Sequence, residues 1–323
     1  MAKKGQKRAR AHHVLPQFYL RAWANETHAV TMLMREGREV TTGTEALAVE
    51  KDFYTLTAPD GRKDSSVEEA LLRNWDARGA EVHRRLLGDD FPLDDDARLN
   101  FGLFLGLQWL RGRAARRVGE EFHDTVQKLL IKLGLDLAPL MDSDAPKRAQ
   151  RPAGPPFPDG PGIEVPHLGH LPDEVKEVLA EQDSYTFELP QEHSILKMVQ
   201  GVPDAAATFI HARWVLVRAE GIGFWTSDEP IALYRKPTPE NQHLGLGPVN
   251  AELIQFPLSP SRCLIIDRMS PDAPDLVGDA TARMVDDANK LTLHGRWQQL
   301  FRHPESPPFP PAPPLPERFV ELA

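Results

Sequence analysis

Asp94-Asp95-Asp96-Ala97-Arg98-Leu99-Asn100-Phe101-Gly102-Leu103-Phe104-Leu105-Gly106-Leu107-Gln108-Trp109-Leu110-Arg111 is the stretch on which the fold turns. Its carboxylates stand where a helix begins, at the positive end of the macrodipole. From Phe101 to Leu107 the chain is apolar on nearly every side. A helix of that composition has no face to offer water and must be buried. The spacing predicts a helix from about Asp95 to Leu133, bent near Gly112 or Gly119, with its first half at the centre of the molecule.

Working outward, Ser65 and Ser66 precede Glu68 and Glu69 by three residues, a capping-box pattern, and Val67, Leu71, Trp75, Val82 and Leu86 follow at near-helical spacing. Further back, Thr31 to Arg35 and Glu39 to Thr42 flank Glu36-Gly37-Arg38 and predict a β-hairpin. Beyond the central helix, residues 142–172 become dense in Pro and Gly and lose apolar periodicity, as a surface insertion does. Helices resume over 173–181 and 191–201, with a further one over 204–213. Trp214–Val217, Gly223–Thr226, Ile231–Tyr234, Glu252–Phe256 and Cys263–Asp267 have strand length and composition. Their connections are too short for helical crossovers, so they predict an antiparallel sheet. A helix from Asp279 to Phe301 closes the expected fold. The whole is an α+β protein, mostly helical, with a central buried helix packed against an antiparallel sheet formed mainly by residues 214–267. Residues 1–11 form a basic flexible tail, 12–301 a single domain carrying the insertion, and 302–323 a Pro-rich tail.

The formal net charge of −9 excludes a surface shaped throughout for nucleic acid. Any such contact falls to local patches: the tail Lys3, Lys4, Lys7, Arg8 and Arg10, or the cluster Arg111, Arg113, Arg116 and Arg117. Cys263, the single cysteine, lies in an apolar run and reads as a core residue, which excludes an intrachain disulfide. No apolar run is long enough to span a membrane, and no signal-type apolar region follows the basic N-terminus. A cytoplasmic location is expected. The excess of Arg over Lys, with abundant Ala and Pro, points to a GC-rich bacterial genome.

Few residues stand out for chemistry. His12 and His13 are adjacent and diverge on either a helix or a strand, so one ion is a poor fit for both. Either one alone suits a base or a ligand, or a cap for the next segment. Thr226-Ser227-Asp228-Glu229-Pro230 ends a strand, a place that presents catalytic carboxylates and equally one where Ser and Asp bind their own backbone. Gln108 and Arg111 share a helix face and need partners once buried; a carboxylate such as Asp228 or Glu68 would serve Arg111, as would a ligand phosphate. Phosphate-loop, HExxH and GxSxG motifs are absent.

His12-His13-Val14-Leu15-Pro16-Gln17-Phe18-Tyr19-Leu20-Arg21 resembles the HHYVPQFYLRNF opening of the domain-of-unknown-function 4238 family. Phe53-Tyr54, Glu68, the run from Phe101 to Arg111, Phe224 to Pro230, Pro257 to Pro260 and Asn289 follow in the family's order. The sequence departs at Val14, where an aromatic is usual, and in the insertion after Met141. The resemblance brings no activity with it. It implies that His12, His13, Glu68, Gln108, Arg111, Ser227, Asp228, Ser259 and Asn289 share one pocket. Two functions compete for that set. One is a hydrolase acting on a phosphate-containing or nucleic-acid substrate, with His13 as base or ligand, Asp228 as partner carboxylate and Arg111 neutralising charge. In it His12, Glu68, Gln108, Ser227 and Asn289 bind the ligand, and a divalent metal ion is a cofactor the set would accept. The other is a non-catalytic binding or scaffold protein in which the same groups form a buried structural network.

Overall fold

The structure is a computed structural model that describes residues 11–51, 53, 56–57, 63–64, 73–141 and 171–310. In chain order it begins with β1 (Ala11–His13), α1 (Gln17–Arg21), the antiparallel hairpin β2 (Ala29–Leu33) and β3 (Glu39–Gly43), and β4 (Val49–Lys51), which pairs with β1. Gly37 makes the hairpin turn at φ +85°, where a side chain would be strained. The short pair β5 (Leu56–Thr57) and β6 (Lys63–Asp64) precedes α2 (Arg73–Leu87), α3 (Asp95–Leu110) and α4 (Arg113–Met141). There follow α5 (Asp173–Ala180), α6 (Gln191–Ile210), β7 (Arg213–Arg218), β8 (Thr226–Ser227), β9 (Ala232–Tyr234), β10 (Leu253–Ser259), β11 (Arg262–Asp267), β12 (Leu276–Asp279), α7 (Ala282–Gly295) and β13 (Leu300–Arg302). Among the described residues no helix is long and apolar enough to cross a membrane.

The chain divides into two compact units, residues 1–116 with 191–323, and residues 117–190. In the first, α3 is the buried centre. Asp94 caps it by accepting the Ala97 N–H at 2.9 Å, the use its acidic opening predicts. One side meets a five-stranded sheet of order β12-β7-β11-β10-β9, antiparallel except where β12 runs parallel to β7. The Phe101 and Phe104 rings each lie 6.0 Å from the Phe256 ring, and Phe101 stands edge-on to Trp214. Both phenylalanines are fully buried, which contributes roughly 1.5–3 kcal/mol each. The other side meets α6 at Gly106, where an added Cβ would stand 2.8 Å from the Val202 carbonyl oxygen. The expected α+β fold, with a buried helix on a sheet, is therefore present.

Four details differ from the sequence reading. The long helix is two: α3 ends at Leu110, and α4 restarts at Arg113 because the Glu229 carboxylate takes the Ala114 N–H and occupies the space a side chain at Gly112 would need. The two helices expected over 191–213 are the single α6, which continues through Pro203 with both halves packed on α3. The closing helix stops at Gly295; Arg296 is extended, and the chain enters β13 of a second sheet, order β3-β2-β13-β8. The strand expected at Gly223–Thr226 is only Thr226–Ser227 and belongs to this second sheet, because the Asn289 amide holds the Trp225 N–H and the Gly223 carbonyl. Phe309, from the Pro-rich end, packs edge-on against Trp225.

The second unit comprises α4 from Arg117 onward, α5 and a 3-10 turn at Gln182–Ser184. Asp124 ties it together, accepting the Phe187 N–H at 2.7 Å and pairing with Lys128 at 2.8 Å. Of the expected insertion, only Leu171 and Pro172 are among the described residues; the capping box at Ser65–Glu69 and the tails 1–10 and 311–323 lie outside them.

Candidate functional site

The Thr226–Pro230 turn is the polar centre of the first unit. β8 delivers Ser227, whose hydroxyl donates to the Glu229 carbonyl at 2.7 Å and so closes a local turn. Asp228 then faces the segment between α7 and β13. Its carboxylate accepts the Trp297 N–H at 3.0 Å and the Gln298 N–H at 2.8 Å, while its own N–H donates to Gln299 O. Glu229 points the opposite way along the chain and caps α4 through the Ala114 N–H at 3.1 Å. Arg113 bridges these partners, donating to Gln298 Oε1 at 2.8 Å and to Glu50 on β4.

Burial governs the charges. Asp228 is 6% exposed and Glu229 7%. Burial pushes the Glu229 carboxyl up to about 8, the neighbouring Asp228 adds to this, and the Ala114 and Arg113 N–H groups and the Arg113 charge oppose it. Asp228 is raised too, by burial, against the N–H groups it accepts and the Arg113 charge. The Arg296 guanidinium is lowered by burial and held up by Asp228. The result is a pair of buried carboxyl groups, both pushed upward by burial, with arginines at hand.

Arg111 does not join this group. Its Nη1 donates to both Asp76 oxygens at 3.0 and 3.1 Å, and its Nε donates to Gln108 Oε1 at 2.9 Å. The buried Gln108 amide nitrogen has no partner among the described residues. Gln108 and Arg111 are thus together, as their helical spacing predicts, with Asp76 rather than Asp228 as the carboxylate. His13 belongs to a third group: its Nδ1 lies 3.3 Å from Leu47 O and 3.2 Å from Gln17 Nε2. His12 pairs with Glu50 in the β1–β4 ladder. The His12 side chain and all of Glu68 lie outside the described residues. Asn289 clamps the segment before β8 from α7, and Ser259 Oγ accepts the Ser261 N–H at 3.3 Å within a turn. Among the described residues no group of three or more His, Cys, Asp or Glu is placed to hold a metal ion.

The opening motif also has a packing role. Tyr19 is buried, with its hydroxyl 2.5 Å from Thr226 Oγ1 and donating to Pro257 O at 2.7 Å. The edge of its ring meets His83, whose pKa burial lowers to about 4 and whose Nε2 lies 2.8 Å from Leu258 O. Tyr19 therefore places the N-terminal segment directly behind the Thr226–Pro230 turn. Sequence reasoning missed Glu50, Arg113, Glu229 and Gln298 as members of one group. The signals available were separate: the carboxylates of the Thr226–Pro230 turn, the arginine cluster, and Gly112 between two arginines, which marks a helix break with a cation on each side.

The profile of a family described as "Protein of unknown function (DUF4238)" matches residues 11–306. No curated protein and no solved structure matches the chain.

Proposed function

This chain belongs to the DUF4238 family, and we propose that the polar positions of its signature act as interior clasps in a non-catalytic binding or scaffold protein. One observation carries this reading: both carboxylates of the Asp228-Glu229 pair are committed to backbone N–H groups of distant segments, at residues 297, 298 and 114. A buried acceptor serving such groups is costly to remove, since each orphaned N–H costs about 1–3 kcal/mol. Arg111, fixed between Asp76 and Gln108, has the same character. Thermal melts of Asp228→Ala and Arg111→Ala test it. Both should lower Tm by many degrees; melting at or above wild type would sink the clasp reading, since groups held for a site are commonly removed without loss of stability.

A second reading has its own support. Glu229, pushed up to about 8 by burial beside Asp228 and Arg113, has the raised carboxyl pKa that suits a general acid. It favours a hydrolase acting on phosphate-containing or nucleic-acid substrates, with Glu229 and Asp228 as the carboxyl groups and Arg113 in the charge-neutralising role first given to Arg111. Turnover of a simple phosphodiester by the wild-type chain, lost in Glu229→Gln with no fall in Tm, would replace the first reading with this one. The lone buried Cys263 and the Arg-weighted composition support a bacterial, cytoplasmic setting.

A further inference from the structure

We propose that helix α4 pairs head to tail with α4 of a second copy of this chain, through the face carrying Val118, Phe122, Leu129 and Leu133. These side chains are 64%, 66%, 52% and 40% exposed. With Thr125, also exposed, they recur at steps of four, three, four and four, which places them in one row along the helix. At 1.5 Å per residue the row is about 22 Å long. Singly exposed leucines are ordinary, whereas a continuous apolar row marks a surface that another molecule covers.

The second unit gives this row a reason to be covered. None of its described apolar residues is buried, and α5 adds Val175 and Val178, 42% and 57% exposed. Helices of this length draw most of their stability from packing an apolar face, so a unit whose described residues bury no apolar side chain leaves this row for a partner. The chain's own segment 142–170 is a poor occupant. It carries prolines at 146, 152, 155, 156, 158, 161 and 166 and has no apolar repeat with which to lie along the row.

Charge selects the second copy and its direction. Glu121 and Lys132 are both exposed and lie on the same flank of the row, one toward each end. Glu121 uses one oxygen on Arg117 and is still 61% exposed at its side chain. Two copies placed head to tail bring Glu121 of each against Lys132 of the other, twice by the two-fold axis, and lay Val118 against Leu133 and Phe122 against Leu129. A parallel pair would place the two Glu121 side chains, and the two Lys132 side chains, on opposite sides of the seam, and the Glu121–Lys132 pairing would be lost.

Light scattering on the full chain should give twice the 36.2 kDa chain mass at micromolar concentration. Phe122→Asp and Leu129→Asp should return the single-chain mass with an unchanged far-UV spectrum, because both side chains face solvent within the chain. Direction is read by cysteines, since the one native thiol is buried. The double variant Val118→Cys with Leu133→Cys should form an interchain disulfide on oxidation, and Val118→Cys alone should not. A wild-type chain that stays monomeric, a dimer that survives both Asp variants, or efficient crosslinking by Val118→Cys alone would each overturn the proposal.

Discussion

Glu229 keeps its proton to about pH 8 in the folded chain, whereas an unfolded glutamate releases it near 4.5. Between those values the unfolded state binds fewer protons than the folded one, so stability falls as pH rises through this window and levels off above it. Asp228, shifted in the same direction, adds to the slope. Glu229→Gln keeps an acceptor for the Ala114 N–H and removes the buried charge. It should raise stability over wild type at pH 9 by something on the order of a few kcal/mol and give no gain at pH 4. Urea titrations at the two pH values check this, and equal effects at both would mean that folding does not shift the Glu229 pKa. Asp228→Ala acts in the other direction, because the Trp297 and Gln298 N–H groups lose their acceptor at any pH. The sequence made Asp228 conspicuous and left its role open, since a Ser-Asp-Glu-Pro turn has the same composition whether its carboxylate meets a substrate or a backbone. Its partners could not be read at all: they are main-chain N–H groups about seventy positions away, and a backbone donor has no sequence signature.

At the scale of elements, what was legible had a period. The Phe101–Leu107 run predicts a helix buried on all sides, and α3 is that helix, with the sheet on one side and α6 on the other. Gly106 illustrates what period alone leaves out, since in sequence it is merely a poor helix former. In the fold it admits the α6 backbone, with Val202 O and Ala206 N within 3 Å of where a Cβ would stand. Gly106→Ala should therefore cost about 1–3 kcal/mol by overpacking. Gly119, on α4 with nothing within 4 Å of its Cβ position, should behave oppositely: Gly119→Ala should gain up to about 1 kcal/mol from helix propensity. Chemical denaturation of the two variants separates these effects, and similar shifts would mean that α3 and α6 do not approach closely at Gly106. The sequence predicts a bend near Gly112, but the full break there and the stop at Gly295 escape it for a shared reason. Glu229 and Asp228 take up the N–H groups at which α4 begins and α7 has ended, so the stop signals come from a turn elsewhere in the chain.

The whole molecule joins a unit with a large aromatic core to one that buries no described apolar side chain. A change in composition at Met141 marks where periodicity ends, yet the second unit begins at Arg117, inside a helix whose sequence is continuous across the boundary. The difference is one of contacts, which composition does not encode. It does have a consequence for exchange kinetics. Amides of α3, β10 and β11 lie under the core and should exchange only through global opening, at a rate independent of protein concentration. Amides of residues 118–133 have no core above them, so their protection should come from the second copy and should fall on dilution. Hydrogen exchange followed by mass spectrometry at two protein concentrations reads both regions in one experiment. Phe122→Asp should make residues 118–133 exchange fast at either concentration while leaving α3 untouched. Slow, concentration-independent exchange along α4, matching that of α3, would mean that the second unit draws its stability from within the chain despite its exposed row, and the pairing of two copies would lose its physical cause.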